Sequence, residues 1–204
     1  CNSIPICMFR TLYIEYLLSE HHTIIRAIAH GDRQAFKELY ELFSDQVYNT
    51  ALSYTQDVQE AEEITQDVFT QIFRNAVKFK GESAVGTWIY RITINTSLNY
   101  LRRRKRFGFM RINDHNIDKP DFEHPGVLLE RKEDAKALFK VIDTLPNHQK
   151  TAFILSFIED LPRQEVADIM QVSLKAVESL LQRAKKNLRN KLEKIYPERR
   201  KNDY

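Results

Sequence analysis

Apolar positions recur at every third or fourth residue through most of this chain, the period of helices that bury one face. Ile25, Ile28 and Ala29 form the first such group, and Phe36, Leu39, Tyr40 and Phe43 the next. His30-Gly31-Asp32 lies between them and predicts a turn, with Asp32 as the N-cap of the next helix. A second helix is expected from about Ser44 to Tyr54, with Val47, Tyr48, Ala51 and Leu52 inward. After Asp57 a third carries Ala61, Ile64, Val68, Phe69, Ile72 and Phe73 as a wide apolar stripe. Lys78 to Gly86 holds two of the five glycines and predicts a loop. Thr87 is then expected to cap a fourth helix bearing Trp88, Ile89, Ile92, Ile94, Leu98 and Leu101.

The period stops at Phe107. From there to about Leu128 the chain contains Gly108, Pro120, Pro125 and Gly126, and at roughly twenty residues it is longer than an ordinary connection. A second helical unit is expected from about Leu129. Leu138, Val141 and Ile142 lead to Leu145-Pro146, where proline suits a helix start. Ala152, Phe153, Leu155, Ser156 and Ile158 come next. Pro162 opens another helix with Val166, Ala167, Ile169 and Met170 inward, and Ser173 can cap a last one. The chain contains no internal repeat. It therefore divides into an N-terminal extension (1–22), a helical domain (23–106), a linker (107–128), a second helical domain (129–196) and a basic tail (197–204). The fold class is all-α, two small helical domains joined by a flexible linker.

Composition changes this picture little; the distribution of charge changes it more. The formal net charge of +3 does not by itself point to nucleic acid. Yet Glu38 to Phe73 contains eight acids and no Lys or Arg, while Arg102 to Arg106 are five consecutive bases. Arg183 to Lys201 holds nine bases against two acids. One acidic face and two basic ones imply two kinds of partner. The two cysteines, Cys1 and Cys7, rule out a disulfide framework for the rest of the chain and suit a reducing, cytoplasmic setting. Ile4 to Leu18 is apolar but interrupted by Arg10 and Glu15, and is read as neither a membrane span nor a signal peptide. A lipidated start at Cys1 is set aside in favour of an upstream extension, with Met8 a candidate start.

Three stretches carry candidate chemistry. Leu161 to Lys186 reads as a helix-turn-helix. Its last helix has Val177, Leu181, Ala184 and Leu188 on one side and Lys175, Glu178, Ser179, Gln182, Arg183 and Lys186 on the other. The early members of that polar face are placed for base edges, and Arg183 and Lys186 for phosphates. Taken alone, an amphipathic helix with a solvated charged face explains it equally well. Thr87 to Arg106 combines Trp88, Arg91, Asn95 and Asn99 with the basic run, which suits unstacked single-stranded bases. Core packing is the better account of Trp88, whereas five consecutive bases exceed what a helix end needs. The acidic helix from Asp57 to Asp67 has no histidine nearby, so no mixed metal site is apparent; a solvated acidic face is the usual outcome, and a docking face for a basic partner is the sharper alternative.

In combination these stretches resemble the extracytoplasmic-function (ECF) class of bacterial sigma factors. Glu60 to Phe69 resembles the polymerase-binding helix of region 2. Phe79 to Ser83 with Thr87 to Asn95 resembles the loop and helix that open and read the minus-10 element. Leu145-Pro146, Glu165 to Ile169 and Val177 to Ala184 resemble the region 4 helix-turn-helix that reads the minus-35 element. The resemblance implies polymerase docking by Glu62, Glu63, Gln66 and Asp67, with Asp57 and Glu60 beside them. It implies minus-10 binding by Lys78, Lys80, Glu82, Ser83, Arg91, Asn95, Asn99, Arg102 and Arg103. It implies minus-35 binding by Ser173, Lys175, Glu178, Ser179, Gln182, Arg183 and Lys186. Ala176 to Leu180 departs from the Thr-Val-Lys-Ser-Arg often found there, so promoter sequence is not carried over. Core RNA polymerase, promoter DNA and an anti-sigma factor, often membrane-tethered in the family, are the implied partners. No cofactor, metal, small-molecule substrate or catalytic residue is implied. A stand-alone helix-turn-helix regulator and an enzyme with a metal on the acidic helix are the two rival readings.

Overall fold

A computed structural model describes residues 20–110 and 132–197. Residues 1–19, most of the expected linker, the start of the second unit at Leu129 and nearly all of the basic tail lie outside the described residues. Helix α1 spans 20–29, so the first helical unit begins before the expected boundary at 23. It is followed by α2 (Arg33–Thr55), α3 (Val58–Asn75), a single 3-10 turn (Ala76–Lys78) and α4 (Val85–Met110). The second unit contains α5 (Lys132–Ile142), α6 (Asn147–Phe157), α7 (Arg163–Met170) and α8 (Leu174–Ile195). No strand occurs among the described residues.

The helix starts arise from local chemistry. Asp32 accepts the backbone N–H groups of Gln34 and Ala35 at 2.8 and 3.1 Å, two donors that the first turn of α2 leaves unpaired. Asp57 does the same for Glu60 of α3 and Ser173 for Ala176 of α8. Gly31 turns the chain between α1 and α2 at a φ of 88°, which only glycine adopts without strain.

Three expectations are corrected. The break near Ser44 does not exist: α2 runs unbroken, because Leu39, Phe43, Val47 and Ala51 continue one buried stripe and no Gly or Pro interrupts it. Thr87 is not a cap. It is buried in the first turn of α4, which starts at Val85, and Ala84 supplies the carbonyl for the Trp88 N–H. Phe73 is not inward but 45% exposed, its ring meeting Phe36 edge-on. The expected linker boundary also shifts, since α4 continues through residues 107–110.

In the first unit α2, α3 and α4 pack pairwise around Leu39, Val47, Ile64, Val68, Ile72, Val85 and Ile89. In the second, α6 and α7 pack on α8 through Ala152, Leu155, Val166, Val177, Leu181 and Leu188. The two cores are not separate. Tyr54, Tyr90 and Ile94 of the first unit are buried in the core of the second, with Leu98 and Leu101 packed against it, and α4 lies against α7.

A core substitution and a cap substitution should separate in denaturant unfolding. Leu39→Ala is expected to cost about 2–5 kcal/mol by lost burial and cavity formation. Asp32→Ala should cost about 1 kcal/mol by loss of the cap.

Candidate protein and nucleic-acid interfaces

On α3 the buried stripe faces α2 and α4, which leaves Glu62, Glu63, Gln66 and Asp67 exposed on the far side. The other two acidic candidates have local work. Asp57 caps α3, and Glu60 is ion-paired with Arg104 of α4. Burial works against the Arg104 charge, but the hydrogen bond and charge of Glu60 outweigh it and raise its pKa. Glu63 accepts a hydrogen bond from the Tyr100 hydroxyl at 3.1 Å. Burial, together with the charges of Glu60 and Glu63, pushes Tyr100 up to about 12. Between α2 and α3 lies a groove of about 360 Å³, lined by Tyr40, Ser44, Asp45, Tyr48, Glu62, Thr65 and Gln66. Two carboxylates and two phenol rings are among its walls, so its lining is acidic and aromatic.

The second cluster lies just after the 3-10 turn. Lys78, Lys80 and Glu82 are exposed and Ser83 is half-buried; Gly81 bends this loop at a φ of 74°. Phe79 packs on Trp88 with ring centroids 5.0 Å apart and on His22 at 5.2 Å. Trp88 is thus partly buried against the first core, as its packing role predicts. Asn95 and Asn99 stand exposed along α4, with Arg102 donating to the Asn99 side chain at 3.1 Å and Arg103 also exposed. These residues share one polar face of α4, the helix that follows the loop. Arg91 is at one end of that face but is turned to another task. Its guanidinium donates to the backbone carbonyls of Asp168 at 2.7 Å and Ile169 at 3.3 Å, at the C-terminus of α7.

On α8 the fourfold stripe Val177, Leu181, Ala184 and Leu188 is buried as its spacing requires. Ser173, Lys175, Glu178, Gln182, Arg183 and Lys186 are exposed and Ser179 half-buried. Gln171, in the left-handed conformation at a φ of 56°, ends α7 and sets the turn into α8. A short helix, a tight turn and a longer helix with an exposed polar face have the geometry that places a reading helix in a major groove.

Known proteins share this arrangement. Residues 39–107 match Sigma-70 region 2, and residues 135–188 match Sigma-70, region 4; together they cover more than half of the chain. The RNA polymerase sigma-H factor of Pseudomonas aeruginosa is 28% identical over 186 residues, covering 86% of this chain and 95% of that protein. The ECF RNA polymerase sigma-E factor of Escherichia coli is 27% identical over 180 residues, covering 84% of this chain and 94% of that protein. The chain belongs to the ECF sigma factors. Solved folds agree: CnrH, in its complex with the cytosolic domain of CnrY, superposes with a TM-score of 0.62 at 20% identity, covering 84% of this chain and 96% of that one. The sigma factor RpoE of Bartonella quintana, solved with the anti-sigma factor NepR, gives 0.58 at 23% identity over 78% of this chain and 96% of that one.

As a sigma factor the protein directs core RNA polymerase to promoters and initiates transcription by recognising DNA. A stand-alone regulator is not favoured, since both sigma regions are present in order. Three residues at these interfaces are not evident from the sequence. Arg104 falls four residues after Tyr100 on the stripe of α4 that faces α3, which separates it from Arg102 and Arg103. Arg163, the first residue of α7, lies 3.8 Å from Glu178 and sets a cation beside an acid on the reading face. Tyr40, expected in the core, instead walls the groove at 45% exposure. All three depend on which helices adjoin, and spacing along one helix carries no signal of that.

The two acidic residues Glu60 and Glu62 differ in role, and charge reversal should reveal it. Glu60→Lys is expected to lower the unfolding free energy by about 1–2 kcal/mol through loss of the half-buried pair with Arg104. Glu62→Lys on the exposed face should stay within about 0.5 kcal/mol of the parent in the same denaturant titration.

Proposed function

We propose that this sigma factor divides its surfaces by charge. The exposed acidic face of α3 docks on a basic surface of core polymerase. The loop before α4 and the polar strip of α4 hold the melted minus-10 strand. The polar face of α8 reads the minus-35 duplex. The observation that carries the reading is the segregation itself. Glu62, Glu63, Gln66 and Asp67 share one exposed face of α3, while Arg183 and Lys186 extend the exposed face that begins at Lys175 on α8. Opposite charges steer each surface to a different partner.

The groove between α2 and α3 supports the docking assignment. Asp45 and Glu62 with Tyr40 and Tyr48 suit an arginine or lysine side chain of the polymerase. On α4, Asn95 and Asn99 present amides to a flipped base and Arg102 and Arg103 present cations to the backbone. On α8, Glu178 beside Arg163 forms a unit in which the carboxylate can accept from a cytosine amino group. The work is binding energy applied to promoter melting, and nucleotidyl transfer belongs to the polymerase. The protein acts in the cytoplasm with the polymerase; no described helix is long and apolar enough to cross a membrane. The Bartonella RpoE was solved with the anti-sigma factor NepR, which supports an anti-sigma factor as the regulator here.

The test is transcription from a minus-35/minus-10 promoter with purified core enzyme. Reversing Glu62 and Glu63 together to Lys should abolish capture by core enzyme while circular dichroism is unchanged; undiminished capture would sink the docking assignment. Gln182→Ala should shift base preference within the minus-35 element by about 1–3 kcal/mol and leave core binding alone. Lys186→Ala should instead weaken all duplexes alike and reduce the salt slope of log K by about 0.9.

A further inference from the structure

Helix α1 (20–29) lies before the residues that match Sigma-70 region 2, which begin at 39. Two neighbouring histidines near its start reach both ends of the loop that leads into α4. The His22 ring meets the Phe79 ring edge-on, with centroids 5.2 Å apart and planes at 86°. Phe79 in turn packs on Trp88 at 5.0 Å, so one loop side chain is held between α1 and α4. Gly81, at the left-handed bend of the loop, lies so close to His22 that a β-carbon there would stand 3.6 Å from two atoms of the imidazole. Where the loop enters α4, the His21 ring meets Phe43 of α2 at 5.3 Å, and Phe43 lies 3.8 Å from the β-carbon position of Gly86. His22 is half-buried, and its Nε2 is buried without a hydrogen-bond partner. The ring therefore meets the loop by shape and not through a polar contact at Nε2.

A loop that must catch an unstacked strand loses affinity if it has to be ordered on binding, because its torsions are then fixed at the expense of the contact. Lys78, Lys80 and Glu82 are exposed, while the residues between them, Phe79 and Gly81, are the ones that touch His22. The loop thus alternates between side chains free to meet a strand and positions fixed from behind by one ring. We propose that His22 is a positioning residue for minus-10 recognition: its ring, supplied by a helix outside the matched family region, holds Phe79 and Gly81 in place and so preorders the loop that carries Lys80 and Glu82. This role rests on the minus-10 reading of that loop. It extends the strand-holding site to α1, which contributes no charged contact to the strand and acts only through the loop it supports.

The experiment uses the full chain bound to core enzyme, with a short labelled single strand carrying the minus-10 sequence that this holoenzyme selects from a randomised DNA pool. His22→Ala should lower the affinity about tenfold, as when the ordered fraction of the loop falls from near unity to about a tenth. His22→Phe, which keeps a ring and removes the unpaired nitrogen, should bind like the parent. Trp88 is the chain's single tryptophan, so its emission reports on the ring stack directly. Acrylamide should quench it more readily in free His22→Ala than in the parent or in His22→Phe. Asp32→Ala, which weakens the same helical unit at a cap, should move neither reading, and capture by core enzyme should be equal in all of these chains. Phe79→Leu, which takes the ring away from the loop side of the contact, should reproduce the loss of affinity and serves where His22→Ala does not melt cooperatively. A loss in His22→Phe as large as in His22→Ala overturns the proposal, because the nitrogen and not the ring would then be what the strand needs. Unchanged affinity in His22→Ala, while Lys80→Ala weakens binding, overturns the role of His22 alone. Unchanged affinity in both overturns the minus-10 reading of the loop, and the role of His22 falls with it.

Discussion

Helix α4 is the constraint on which the architecture depends, because it is apolar along two lines rather than one. At about 100° per residue, Val85, Ile89, Ile92, Thr96 and Tyr100 follow one line toward α2 and α3, and Tyr90, Ile94, Leu98 and Leu101 follow another toward the second unit. A helix that is hydrophobic on most of its circumference must be covered on most of it. Between the lines sit Thr93 and Ser97, both buried, whose hydroxyls bond back to the carbonyls of Ile89 and Thr93 at 2.9 and 2.8 Å. Small, internally satisfied side chains there let neighbouring helices approach without leaving a polar group unpaired.

Covering the second line brings polar groups into the contact as well as apolar ones. Burial lowers the Lys150 pKa against the opposing influence of Asp143, so the ammonium is held at a cost in desolvation. Burial likewise raises Glu159, whose carboxylate accepts from the Tyr90 hydroxyl at 3.4 Å across the same contact. Buried charges of this kind add geometric specificity more than net stability, because each would be better solvated in water. A contact built from one apolar stripe and several costly polar groups is specific yet separable, which is the usual character of interfaces between domains of one chain.

Much of this is legible in sequence. The stripes of α3 and α8, the caps at Asp32 and Ser173, and the separation of buried from exposed faces come directly from spacing, because each is decided within one or two turns of the chain. The continuity of α2 is also present in the spacing of Leu39, Phe43, Val47 and Ala51, but the local polarity of Ser44 and Asp45 obscures it. Phe73, Tyr40 and Arg104 are hidden for a different reason. Whether a residue at the edge of a stripe is covered depends on which helix lies beside it, and that is settled by packing between elements distant in sequence. The second line on α4 merges with the first in the sequence pattern, since a single-face assumption absorbs Ile94, Leu98 and Leu101 without demanding a second neighbour.

The allocation of faces on α4 also explains why Arg91, among the candidate minus-10 residues, is the one diverted. Asn95, Asn99 and Arg102 run along a third line, between the two apolar ones. Arg91 lies at the margin of that line nearest Leu98, where the second unit begins to cover the helix. The α7 carbonyls it meets belong to the last turn of a helix, where Asp168 also accepts the Gln171 N–H, so a guanidinium there meets two acceptors and the negative end of the helix dipole at once. A phosphate backbone offers the same group the same kind of acceptor with a full charge. The position of Arg91 on that margin is therefore what gives it two acceptors on α7 rather than a place among the exposed side chains of the third line.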